Sequence, residues 1–184
     1  MDARRQGLVR VLGRQRDVFQ VVLPVILYVL LGNARSIQPN PFIPGAIIAV
    51  NMVVPVLTGI LFGRVAGLLV GLLGTLLNAV SPAGSLFEFL SIVPHGTMGW
   101  VAGHYRERVP TLILACSLIV GHGLNILAYV LFGLLPFTSV LHLTFWYGLA
   151  YETFAGVIAV TVLAGIYRVG FLPSQERHDA DAAP

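Results

Sequence analysis

The chain has 184 residues, of which 57% are hydrophobic and only 10% charged, with a mean hydropathy of +0.85. This composition excludes an ordinary soluble domain, and at about 20 residues per membrane crossing it leaves no room for a sizeable extramembrane domain. The net charge is +3 and the pI about 9.4, but every cation is Arg, and their placement reads as a membrane-topology signal and not as a nucleic-acid footprint.

Arg4, Arg5, Arg10, Arg14 and Arg16 precede the first apolar run, residues 17–32. No small-residue cleavage motif appears before Asn33, so this run reads as a first span and not as a removable signal. The segment NARSIQPNPFIPG that follows carries three Pro and is predicted to be an irregular outer loop. A second run, 45–63, meets a third, 65–80, across Arg64 alone, which predicts an antiparallel hairpin. Gly59 and Gly63 on one side of it, with Gly67, Gly71 and Gly74 on the other, form stripes of small residues that let backbones approach.

Runs four, five and six cover 86–104, 110–135 and 141–167. Arg106 and Arg108 lie between the fourth and fifth, and Arg168 and Arg177 follow the sixth; only Arg35, in the first loop, is on the other face. Ten of eleven Arg on one face puts that face inside. The expectation is an all-α membrane protein with six transmembrane helices and both termini cytoplasmic, multi-pass in a bacterial or archaeal inner membrane. It divides into a basic cytoplasmic segment (1–16), a six-span domain (17–168) and a polar tail (169–184) expected to be disordered.

Helical rise of about 1.5 Å per residue converts position into depth. Glu88 falls near the outer surface and His95 near the midplane; His122 and Asn125 lie in the outer half of run five. On run six, Trp146 and Tyr147 are deeper than His142, and Glu152 approaches the middle. Runs four to six therefore place acid, imidazole, amide and aromatic groups in one layer. Ionisable groups at that depth cost several kcal/mol unless they pair or face a polar cavity, and aromatics beside a few polar groups suit a small-molecule pocket. The plainer alternatives stay open: His122 as an interhelical hydrogen-bond partner, Trp146, Tyr147 and Tyr151 as an interfacial belt, and Glu88 among headgroups.

Catalytic patterns are missing. There is no HExxH, no Gly-x-Ser-x-Gly and no phosphate-binding glycine loop. No two His share a helical turn, and Cys116 stands alone in an apolar stretch, so no metal, cofactor or disulfide is expected.

Residues 55–105 resemble the middle of a substrate-binding (S) component of an energy-coupling-factor (ECF) transporter. The resemblance rests on the P-x-x-x-G-x-L-F-G-x-x-x-G-x-x-x-G hairpin formed by Pro55, Gly59, Phe62, Gly63, Gly67 and Gly71, and on Gly99-x-x-x-Gly103 before Arg106. It implies a six-helix, non-enzymatic binder that captures a vitamin or similar micronutrient at its outer face. Such a binder works with a transmembrane coupling subunit and two ATPase subunits. It also implies a site built from the first outer loop and the outer parts of spans four to six, where Glu152, Trp146, Tyr147, His95, His122, Asn125 and Glu88 are the expected contacts. One departure is that the first span holds no Ala-x-x-x-Ala docking motif; Ala155 and Ala159 carry that spacing on the sixth. A six-span scaffold of the rod-shape-determining type, without a pocket, and a small flippase or channel remain the competing classes.

Overall fold

The computed structural model of the chain describes residues 3–34, 40–42, 48–82 and 84–171. Arg35, most of the Pro-rich loop and the tail from 172 onward lie outside the described residues. Within them every regular element is helical: α1 (Ala3–Asn33), a 3₁₀ turn (Val50–Met52), α2 (Val53–Phe62), α3 (Arg64–Ala79), α4 (Leu86–His104), α5 (Thr111–Ala115), α6 (Ser117–Leu131), α7 (Phe137–Val140) and α8 (Leu143–Phe171). Two stretches are long and apolar enough to cross a membrane by themselves, Thr111–Leu131 and Leu143–Val169; Val18–Asn33, Val50–Phe62 and Arg64–Ala79 are shorter apolar helices.

Each apolar run is helical, but four boundaries differ from the sequence reading. The basic segment is continuous helix with the first run, since Arg and Gln are good helix formers and nothing interrupts them before Pro24. In the second run Ile48 and Ala49 are not helical and helix is present from Val50; the Ala49 amide is hydrogen-bonded to the Glu152 carboxyl group. The fifth run contains a joint at Cys116, where the bonds Cys116 N–H to Ile113 O and Ile119 N–H to Cys116 O are of the tighter 3₁₀ kind. The sixth continues to Phe171, three residues beyond Arg168.

α2 is the central helix: Val53, Val54, Pro55, Val56, Thr58, Gly59 and Ile60 are all buried. One side of it joins a core with Met98 and Ala102 of α4, Leu114 and Leu118 of α5–α6 and Val160 and Ala164 of α8. Its other side meets a smaller core with Val25 and Tyr28 of α1 and Val70 of α3. The outward faces of α1, α3 and α8 stay apolar and exposed, among them Phe19, Leu23, Leu30, Val65, Phe154 and Val169, as expected of surfaces that meet lipid.

The glycines do more than close the α2–α3 hairpin. Gly63, at φ +99, makes the one-residue connection possible. Gly59, Gly67 and Gly99 lie where α2, α3 and α4 cross: a Cβ on Gly67 would sit 2.8 Å from the Gly59 Cα and from the Gly99 carbonyl carbon. On Gly71 it would reach the backbone of His95 and lie 2.6 Å from the Gly96 Cα. These neighbours are backbone and cannot rotate away, so α4 lies against both hairpin helices at a distance that only glycine allows. We predict that Gly67→Leu or Gly71→Leu lowers detergent stability by about 1–3 kcal/mol or more, measured as a fall in the thermal unfolding midpoint. Gly123→Ala, where a Cβ meets nothing within 4 Å, is expected to leave the midpoint unchanged or slightly raised.

Candidate functional site

A cavity of about 450 Å³ lies between the irregular entry to α2, α6 and α8, and its size falls within the range of about 300–1,000 Å³ usual for small-molecule sites. One wall is a helical stripe of α8, with Glu152, Ala155, Gly156 and Ala159 at the i, i+3, i+4, i+7 spacing of a single face. The opposite wall is Ile48, Ala49, Met52 and Val53, with Leu118 contributed by α6. The wall is apolar except for Glu152 and the Tyr151 hydroxyl.

Glu152 is fixed by the chain on the other side of the cavity. Its Oε1 accepts the Ala49 N–H at 2.7 Å, a bond that holds α8 against the start of α2. Its second oxygen makes no hydrogen bond among the described residues. One turn earlier, the Gly148 carbonyl accepts from Asn40 Nδ2 at 3.2 Å, and the Asn40 side chain in turn takes the Phe42 N–H at 3.0 Å. This small turn lays the Phe42 ring over α8, 5.7 Å edge-on from Tyr151 and 6.4 Å from Tyr147. Residues 40–42 thus lie over the α8 face one turn before Glu152.

Behind Met52 runs a buried polar chain across four helices. Thr75 donates its one proton to the Gly71 carbonyl at 2.6 Å, so towards Tyr28 (3.0 Å) and His95 Nδ1 (3.0 Å) it can only accept. His95 Nδ1 lies 2.5 Å from the Tyr28 hydroxyl, and its Nε2 lies 3.3 Å from Asn125 Nδ2. With Asn125 as donor the protons run one way, Asn125 to His95 to Tyr28 to Thr75 to the Gly71 carbonyl. Asn125 Nδ2 also lies 4.0 Å from the Met52 sulfur, which places the end of the chain directly behind the cavity wall. Its Oδ1 is buried with no partner among the described residues.

The profile of the ECF-type riboflavin transporter S component family matches residues 14–170. The chain belongs to that family. No curated protein and no solved structure matches it. An S component is an integral-membrane transport subunit and not an enzyme, which sets aside the scaffold reading and accords with the missing catalytic motifs.

Of the seven side chains expected in the binding site of this S component, Glu152 lines the cavity. His95 and Asn125 meet each other instead, and His122, buried one turn before Asn125, shares their layer without reaching the cavity wall. Tyr147 is not on the cavity wall; its ring lies 6.4 Å from that of Phe42. Trp146 is 46% exposed and donates its Nε1–H to the Val140 carbonyl at 2.7 Å, tying α7 to α8. The reason is helical phase: at about 100° per residue Trp146 projects about 120° around α8 from Glu152. Glu88, half-buried in the first turn of α4, is also off the cavity wall. Four important groups were not anticipated: Tyr28, Thr75, Met52 and the Ala49 amide. Tyr28 and Thr75 are polar residues inside apolar runs one and three, a signal present in the sequence. The Ala49 amide leaves none, because any residue but Pro carries one. In a double-mutant cycle we expect Tyr28→Phe and His95→Ala to couple by about 0.6–2 kcal/mol, read from thermal unfolding in detergent; additive effects would show that the two groups do not share a bond.

Proposed function

We propose that this S component captures riboflavin or a closely similar heteroaromatic vitamin at the outer face of a bacterial or archaeal cytoplasmic membrane. It would release the ligand inward with a transmembrane coupling subunit and two ATPases. The topology that goes with this reading has six spans and both termini inside, with Arg64, Arg106 and Arg108 at the cytoplasmic end and residues 40–42 and Ser85 at the outer end. The observation that carries it is the cavity beside the 40–42 turn, with a single carboxylate held on an otherwise apolar wall. A flavin offers a flat ring for Met52, Val53 and Leu118 and an imide N–H for the second oxygen of Glu152. Phe42, Tyr147 and Tyr151 form an aromatic cluster beside the cavity, and the His95–Asn125 pair, with His122 beside it, holds Met52 in place from behind. Ala155 and Ala159 belong to the cavity wall, so they do not stand in as a docking ridge for the Ala-x-x-x-Ala motif missing from α1.

Titrating riboflavin fluorescence with the purified protein tests the site. Glu152→Gln is expected to weaken binding tenfold or more, the scale of one hydrogen bond to a charged group, and Gly156→Leu to abolish it by filling the cavity. Trp146→Ala is expected to bind normally. Undiminished affinity in both Glu152→Gln and Gly156→Leu would place the ligand elsewhere. For the topology, a membrane-impermeant maleimide added to intact cells is expected to modify Ser85→Cys; modification only after the cells are opened would invert the assignment.

A further inference from the structure

A second cavity, of about 310 Å³, opens at the opposite end of the bundle, where α3 begins and α4 ends. Arg64, Arg106, Arg108 and His104 surround it, and Glu107 is the one acid on its wall. Gly63 and Gly103 form its floor: a Cβ on Gly63 would lie 3.2 Å from Arg106 Nη1, and one on Gly103 would lie 2.5 Å from the Arg64 Cα. The guanidinium groups are held loosely. Arg106 reaches the Leu61 carbonyl at 3.4 Å and Glu107 at 3.5 Å, while Arg64 Nη1 lies 3.4 Å from His104 Nδ1, all at the long limit of hydrogen bonding. The Arg108 side chain is exposed and makes no hydrogen bond or ion pair among the described residues. Three cations around one hollow, with a single counter-ion that is itself 82% exposed, leave positive charge that an anion can neutralise.

The surroundings identify the kind of anion. From Arg64 an exposed apolar stripe runs along α3 through Val65, Leu69 and Leu73, at the i, i+4 spacing of one helical face. Trp100 stacks on His104 at 5.0 Å and 18° and is itself 38% exposed, the placement of an aromatic ring at headgroup level. A phosphate in the hollow would carry its acyl chains along the stripe. We propose that Arg64, Arg106 and Arg108 form a binding site for the phosphate headgroup of an anionic phospholipid. The site depends on the proposed topology only for its assignment to the cytoplasmic leaflet, where basic pockets between spans recognise such headgroups.

Native mass spectrometry of the full chain in detergent, titrated with phosphatidylglycerol or phosphatidylcholine, tests the site. Phosphatidylglycerol is expected to be retained selectively, and the double variant Arg64→Gln/Arg108→Gln to bind it roughly 30-fold more weakly, the effect of losing two interfacial cations. Arg168→Gln removes an exposed cation outside the cavity and is expected to change retention less than twofold. Equal retention by the double variant, or an equal loss in Arg168→Gln, would overturn the site. Displacement by millimolar inorganic phosphate would overturn the lipid assignment in favour of a free anion. Arg64→Lys/Arg108→Lys guards against misfolding: it keeps the charge and is expected to recover most of the binding, whereas loss as complete as in the Gln pair would overturn a role for charge. Riboflavin affinity, measured on the same samples, is expected to be unchanged in the Gln pair, while Glu152→Gln is expected to retain the lipid. Failure of either site therefore shows in its own readout.

Discussion

Direct backbone contact at the crossing of α2, α3 and α4 is the constraint from which the other arrangements follow. Lipid tails are as apolar as Leu, so helices in a membrane gain little from hiding Leu against Leu and associate through close packing and hydrogen bonds. Gly59, Gly67 and Gly99 supply that closeness, with Gly71 and Gly103 extending it in both directions. Three helices without side chains at their contact form a compact unit and leave α8 to pack beside it on larger residues. The cavity beside Glu152 lies on the side where packing is looser, between the compact unit and α8. The ligand space and the tight core are two outcomes of one distribution of glycine.

The same compactness explains why the polar chain is tolerable. Tyr28, Thr75, His95 and Asn125 come from four helices and are buried together; each would be costly alone in an apolar interior. Thr75 is one turn beyond Gly71, and His95 adjoins Gly96, so the glycine contact brings the hydroxyl and the imidazole within reach. Once satisfied, such a chain fixes the rotation of each helix about its own axis, which a smooth glycine contact alone would leave free. Rotational order on α6 then reaches Met52 and the cavity through Asn125.

The sequence was most informative where one residue type decides the outcome. The one-residue gap read at Arg64, which the structure places at Gly63 with Arg64 opening α3, and the glycine spacing pointed to the hairpin, and the apolar runs located the helices, α4 with both ends as read. Position along a helix could also be read: it grouped Glu152, Tyr147, His95 and Asn125, of which the structure brings His95 and Asn125 together. The side of the helix each faces could not, because α8 is apolar almost all round and gives no amphipathic phase. That is why Trp146 and Glu152, six residues apart, were grouped although they point in different directions. The late start of α2 was hidden for another reason: it goes with a bond between a backbone amide and a carboxyl group 103 positions away.

That late start bears on how the protein is made. The helical part of the second run, Val50–Phe62, is about 20 Å long at 1.5 Å per residue, well short of a hydrocarbon core of about 30 Å. Ile48 and Ala49, which precede it, are not helical, and an amide such as that of Ala49 is not tolerated in bare lipid when left unpaired. The partner of that amide, Glu152, belongs to α8 and is synthesised 103 residues later. During translation the second run therefore cannot rest in the bilayer as a finished span. The Ala49 amide finds its partner only when α8 arrives, which makes the docking of α8 a late step of assembly.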